Sequence, residues 1–370
     1  LPKLIFFAIS SGFPEFFSSS VTNSCSLSII DWSIELDSNH WEPYSYIADI
    51  YYEQGNYEEA SRFYSKALTK GKSLQDNATI AEALRKQGTL LRKNKEFDKA
   101  VAKFSEALSI STILNDKYSM AKSLNSVAIS YYQSGDKDNA LKNWLQALSI
   151  AEELGDKGAI SKRLNNIGIW YWKDQDYSKS IEYYQKSIAI KQELGDIRNI
   201  GKTFNNLGKI YFSMGDFKNA VIQYDKSIET KKELGDNKGL HSSIFNKGQA
   251  YFYLDEFDKS ISEFRKSMEL QNSDFYMNEK YRYIGMCHYY LGNYDSSNVF
   301  LSRSSRFFKD DSIKLLSIIP FQILTDFKNK NKTNTKSNLE LFNQIISEKD
   351  PYPSDYVLTN WAMYEALINL

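Results

Sequence analysis

From residue 41 to about residue 310 the chain alternates two apolar patterns of helical spacing, separated by short polar breaks. The stretch 201–240 shows both. Phe204, Leu207 and Tyr211 recur at steps of three and four, with Gly208 beside Leu207; after the break Gly215-Asp216-Phe217 come Ala220, Tyr224 and Ser227. Such steps place side chains on one face of an α-helix, so each stretch predicts two amphipathic helices joined by a tight turn. The stretch 121–160 repeats the pattern with Leu124, Val127, Ala128, Tyr131, Ala140, Trp144 and Ala147. Glu-Leu-Gly-Asp closes three successive stretches at residues 153–156, 193–196 and 233–236, which sets the period at 40 residues. In that phrase Gly155, Gly195 and Gly235 stand where a helix-ending left-handed residue belongs. Asp156, Asp196 and Asp236 stand where the next helix needs its N-cap. A period of this length predicts a solenoid of stacked helical pairs, not one globular core.

The pattern divides the chain. Residues 1–25 read as a ragged N-terminal segment, either a leader remnant or a poorly formed helix, with Gly12-Phe13-Pro14 as a breaker. The array runs over residues 26–310: a partial repeat at 26–40, then seven repeats starting near 41, 81, 121, 161, 201, 241 and 278. Residues 311–349 read as a degenerate helical pair, a helix over 312–328 and its partner over 338–347, with the basic stretch 328–336 as a lengthened turn. Residues 350–370 begin a further first helix, and its apolar ending leads us to expect a longer natural protein.

Counted from the first residue of each unit, apolar side chains fall at positions 4, 7 and 11, a small one at 8, small ones at 20 and 27, and an aromatic at 24. On these residues the chain resembles the tetratricopeptide repeat family over about residues 26–310. The long period resembles the repeats of spindle-orientation adaptors, Rap-type regulators and the N-terminal regions of bacterial sensor kinases. The resemblance implies an all-α, right-handed superhelical solenoid of antiparallel helix pairs. A small residue at position 8 lets the first helix (A) touch the second (B), and the aromatic at 24 fills the gap to the next unit.

Composition narrows the function. Acidic and basic residues balance at 46 each, so no global field draws nucleic acid, which is not expected as a partner. No run of 18 apolar residues offers a membrane span. Cys25 and Cys287 lie too far apart in a solenoid to pair. The sequence has no phosphate loop, nucleophile elbow or paired-histidine motif, and His40, His241 and His288 are isolated. No catalytic residue, cofactor or metal is expected.

The resemblance also implies a concave groove lined by helix A at positions 2, 5, 9, 12 and 13, with 6 often joining, which binds a protein or peptide segment. Carried onto this chain, position 2 gives Lys122, Lys162 and Lys202; position 5 gives Arg85, Asn125, Asn165 and Asn205. Position 6 gives Asn166, Asn206 and Asn246; position 9 gives Lys209 and Gln249. Position 12 gives Tyr52, Arg92, Tyr132, Trp172, Phe212, Phe252 and Tyr289, mostly an aromatic stripe. Lysines would attract an acidic partner, and an asparagine ladder would hold an extended backbone, since each amide both donates and accepts. Glu42, Asp49 and Glu53 would make the first unit acidic. The family's chaperone-tail clamp fits poorly: its frame here reads Arg85, Thr89, Ser126, Lys162 and Asn166, of which two match. The expected function is non-catalytic binding of an extended, partly acidic segment. The alternative is a sensory region of a bacterial signalling protein, a histidine kinase or transcription regulator, whose output domain lies beyond residue 370.

Overall fold

A computed structural model of the chain describes residues 42–270 and 274–347. The expectations for residues 1–25, 26–40 and 350–370, and for Cys25, His40 and the Glu42 side chain, lie outside the described residues. All regular structure among the described residues is helical. The chain forms two compact units, residues 1–176 and 177–370. The first holds α1 (Glu42–Glu53), α2 (Tyr57–Ser73), α3 (Asn77–Lys93), α4 (Phe97–Ile113), α5 (Lys117–Ser134), α6 (Lys137–Glu153) and α7 (Lys157–Lys173). The second holds α8 (Tyr177–Glu193), α9 (Ile197–Ser213), α10 (Phe217–Glu233), α11 (Asn237–Tyr253), α12 (Phe257–Leu270), α13 (Asp274–Tyr290) and α14 (Tyr294–Phe307). It ends with α15 (Ser312–Leu316), α16 (Ile319–Lys328) and α17 (Lys332–Ser347). Odd-numbered helices up to α13 are A helices, even-numbered ones up to α14 are B helices, and within each unit these consecutive helices pack as antiparallel neighbours.

One turn is used throughout, every 20 residues. Its middle residue is left-handed: Gly55, Gln75, Lys95, Asn115, Gly135 and Gly155 in the first unit, and Gly195, Gly215, Gly235 and Asp255 in the second. At Gly195 the turn is closed by Gly195 N–H donating to Gln192 O and Asp196 N–H to Lys191 O, the paired bonds of a Schellman ending. The residue that closes it is also the next N-cap: the Asp196 carboxylate accepts from Asn199 N–H, Asp216 from Asn219, and Asp236 from Gly239. Because the cap sits at 76, 116, 156, 196 and 236, A helices begin at Asn77, Lys117, Lys157, Ile197 and Asn237. That is four residues ahead of the apolar register counted from 81, 121, 161, 201 and 241. The first helical turn opens with exposed residues and buries only its end, where Ile200 and Leu240 are 8% and 7% exposed.

The contact of A with B is set by position 8. A Cβ on Gly208 would lie 2.5 Å from the Tyr224 ring, and one on Gly88 2.8 Å from Phe104. The ring also reaches the following unit: Tyr64 clusters with Leu90, Phe104 with Val127, and Tyr224 with Ala250. Each aromatic therefore seals its own helix pair and joins it to the next, as expected of position 24.

Two expectations near residue 320 are corrected. The helix over 312–328 is two helices, α15 and α16, with Pro320 in the first turn of α16, where its missing N–H costs nothing. The basic stretch 328–336 is mostly helix: α17 starts at Lys332, and the turn is residues 329–331 with left-handed Lys330. Its polar composition reflects an exposed helix face, not a loop.

Candidate functional site

Within each unit the A helices form an inner row. α3 approaches α5, and α9 approaches α11, which approaches α13, while B helices meet one another more weakly. The candidate residues lie on this row.

The asparagines do not stand open as a ladder. Asn166 Nδ2 donates to Asn125 Oδ1 at 3.2 Å, and Asn246 Nδ2 to Asn205 Oδ1 at 3.1 Å. Position 5 of one repeat thus pairs with position 6 of the next, which fixes the register of neighbouring A helices. Asn205 is 8% exposed, and its Oδ1 also accepts from Ser243 Oγ at 3.0 Å. An amide so placed orders the row and leaves little of itself for a ligand. Asn165 and Asn206 are partly exposed.

The lysines differ from one another. Lys162 and Lys202 are exposed and make no ion pair among the described residues. Lys122 lies 4.1 Å from the Tyr118 ring centroid, a cation–π contact. Lys209 is half-buried and within electrostatic reach of Lys231. Arg85 pairs with Glu82 one turn away. Of the acids expected on the first unit, Asp49 is not free: it accepts from Lys86 Nζ at 2.8 Å through both oxygens, and from the Tyr64 hydroxyl, while Glu53 is exposed. The Asp49 charge is balanced by Lys86, although its side chain stays 38% exposed.

The aromatic stripe packs between repeats in the second unit. Phe212 meets Phe217 and Tyr253 edge-on, Phe252 is 3% exposed, and Tyr289 is 8% exposed. Gln249 Nε2 donates to the Tyr283 hydroxyl at 2.8 Å. In the first unit Tyr52 and Tyr132 stay partly exposed, as does Trp172, with Lys173 over its ring.

The row rests on a buried polar network that sequence reasoning missed. Lys231 Nζ donates to Ser243 Oγ at 2.7 Å and to Gly239 O at 2.9 Å; Ser243 Oγ connects onward to Asn205 and thus to Asn246. Burial, with Lys209 and Lys202 nearby, pushes the Lys231 ammonium down to about 8, against the pull of Asp236. One repeat earlier, Lys191 Nζ donates to Thr203 Oγ1 at 2.6 Å. The signal was present in the spacing: lysine at 191 and 231 faces Thr or Ser twelve residues later. Among the described residues no cluster of three or more His, Cys, Asp or Glu could hold a metal. Cys287 is buried, which pushes its thiol up to about 12 and keeps it unreactive. His288 stacks on Phe300, and burial pushes His241 down to about 4.

Comparison with known proteins agrees with this architecture. The fold is similar to a STAND (signal transduction ATPase with numerous domains) protein with a tetratricopeptide repeat sensor from Pyrococcus horikoshii, at TM-score 0.68 and 15% identity over 90% of this chain and 51% of that one. It is also similar to RapI in its apo form, at 0.53 and 16% over 72% and 96%. A third likeness is the C-terminal part of a TPR repeat-containing protein from Cytophaga hutchinsonii, at 0.52 and 18% over 76% and 98%. No curated protein matches the chain. Models of the tetratricopeptide repeat match residues 42–116, 119–193, 201–233 and 241–274, and the chain belongs to the tetratricopeptide repeat family.

Proposed function

We propose that the inner row of A helices binds an extended, partly acidic segment of another protein, without catalysis. The observation that carries this is the contrast between amides and lysines. Asn125–Asn166 in the first unit and Asn205–Asn246 in the second hold neighbouring A helices in register, while Lys162 in the first unit and Lys202 in the second remain exposed, with no ion pair among the described residues. A preordered row loses little entropy when a partner binds, and exposed lysines steer an acidic one. The lysines at 122, 162 and 202 then act on the ligand directly, and the paired asparagines act by positioning the helices. A photo-crosslinker at position 162 or 202 should capture a labelled acidic peptide, and one at Ser109 on α4 should not. Equal capture at all three positions would remove the assignment.

A second reading is that the array senses a signal for an output domain elsewhere in a longer protein. The likeness of fold to the sensor-bearing STAND protein supports it. Reading the gene beyond codon 370 tests it: an ATPase or kinase domain supports this reading, and an early stop codon removes it.

A further inference from the structure

The first unit holds four arginines among its described residues: Arg62, Arg85, Arg92 and Arg163. Three have oxygen acceptors. Arg62 reaches Glu59 at 3.2 Å, Arg85 reaches Glu82, and Arg163 reaches Ala121 O at 3.2 Å and Ala159 O at 3.4 Å. Arg92 has none, and its Nη1 is buried without a hydrogen-bond partner. Its guanidinium carbon lies 5.7 Å from the Phe104 ring centroid. Burial pushes its pKa down, and the Tyr52 phenol is the one group that offsets this.

The end of α3 does not supply the missing acceptor. A cation is favoured in a last helical turn by the helix dipole. Yet no carbonyl of this turn accepts from Arg92 Nη1, which stays without a partner. Nor does Asp49, which is held by Lys86 and Tyr64. A desolvated guanidinium with no carboxylate costs stability, so its place at position 12, where other repeats carry an aromatic, calls for a gain elsewhere.

We propose that Arg92, flanked by Tyr52 and Phe104, is the anchor for a carboxylate side chain of the bound segment. This deepens the binding reading above and rests on it: it names one residue and one ligand group. Arginine suits the task because its planar fork binds a carboxylate through two bonds while one face stays on an aromatic ring. The partner is a peptide with an Asp or Glu at the position that crosses the end of α3.

The test uses the full 370-residue chain and two labelled ten-residue peptides, alternating Glu-Ser and alternating Gln-Ser, read by fluorescence anisotropy. Wild type should prefer the Glu peptide. Arg92→Met, which keeps the aliphatic stem, should weaken the Glu peptide by about ten- to hundredfold and leave the Gln peptide unchanged. Arg92→Lys should fall between, since charge remains and the fork is lost. The Arg92→Met variant should melt at or above the wild-type temperature. A lower melting temperature would mean the residue is structural and would overturn the proposal. So would equal Glu-peptide affinity in wild type and Arg92→Met, or stronger binding of a homopolymeric RNA than of the Glu peptide. If Lys162→Met loses the Glu peptide while Arg92→Met keeps it, the anchor fails and the inner-row reading stands. If wild type binds neither peptide, both fail.

Discussion

The two units meet the same packing demand with different chemistry. In the first, the small B-helix positions are all alanine: Ala60, Ala67, Ala100, Ala107, Ala140 and Ala147. In the second they are mostly serine: Ser180, Ser187, Ser227, Ser260, Ser267, Ser297 and Ser304, with Ala220 retained. All are 0% exposed. Buried hydroxyls are tolerated because the A helix offers them acceptors. Ser227 Oγ donates to Gly201 O at 2.7 Å, Ser267 to His241 O at 3.2 Å, Ser304 to Asn278 O at 2.9 Å, and Ser260 to Gly248 O at 2.9 Å. A helical carbonyl keeps a second lone pair, so it serves both its helix and the serine. The slot therefore selects for size first, and polarity is admitted wherever a carbonyl stands opposite. Buried cations follow the same rule. The junction at residues 151 and 163 holds Ala and Arg, and those at 191 and 203 and at 231 and 243 hold Lys with a hydroxyl. Lys280, 0% exposed, donates to Ser267 O at 3.0 Å.

The largest expected effect breaks both units alike. Gly208→Leu and Gly88→Leu each drive a side chain into a buried ring and should cost about 3 kcal/mol or more in denaturant unfolding. An unchanged midpoint for either would mean that the A–B contact is placed wrongly. The same substitutions test whether the ring or the small residue sets the contact, since Ala48 and Ala128 already carry a Cβ at this position.

The next effect separates the units by their cations. Lys231→Met should stabilise the chain by about 1–3 kcal/mol at neutral pH, because a buried unpaired ammonium is replaced by an apolar side chain. The sign with pH follows from the lowered value. Folded Lys231 and Lys280 titrate at about 8, below their ordinary 10.5. Below pH 8 folded and unfolded chains both hold these protons, and the burial cost is fully present. Between 8 and 10.5 the unfolded chain binds more protons, so stability should rise with pH. Burial holds the Tyr64 and Tyr224 phenols above their ordinary value of 10, so tyrosine ionisation in the unfolded chain opposes the rise above that pH. Melting temperatures from pH 7 to 10 should therefore climb in wild type and climb less in Lys231→Met. A fall over that range would contradict the buried-cation account.

The smallest effect sharpens the alanine–serine comparison. Ser227→Ala should lose about 0.5–1.5 kcal/mol. Ala107→Ser should lie within about 1 kcal/mol of wild type, because Ala81 O occupies the register that Gly201 O holds for Ser227. A large loss for Ala107→Ser would show that the carbonyl is not equivalent and that the alanines of the first unit are required for more than size.

Much of the fold was legible because it repeats. Gly195 and Asp196 announce a helix end and the next cap by their own conformational preferences. Gly208 and Tyr224 announce a close helix pair. Turns at Gln75, Lys95 and Asn115 carry no glycine, and the period locates them although the residues do not. The candidate site was less legible. Lys162 and Lys202 are exposed as expected, but Asn205 and Asn246 carry the same side chain as a ligand-binding amide and turn toward each other. Asp49 looked like a free acid until Lys86, 37 residues away in sequence, was found to hold it.

The sequence by itself determined the helices, their turns, the 40-residue beat and the small-to-aromatic contact, because each depends on preferences local to a repeat or on its recurrence. Only the tertiary structure decided which polar groups are satisfied internally. The pairing of Asn166 with Asn125, the burial of Lys231 and the solitude of Arg92 depend on the distance between neighbouring repeats. That distance is a property of packed side chains and is written in no single position.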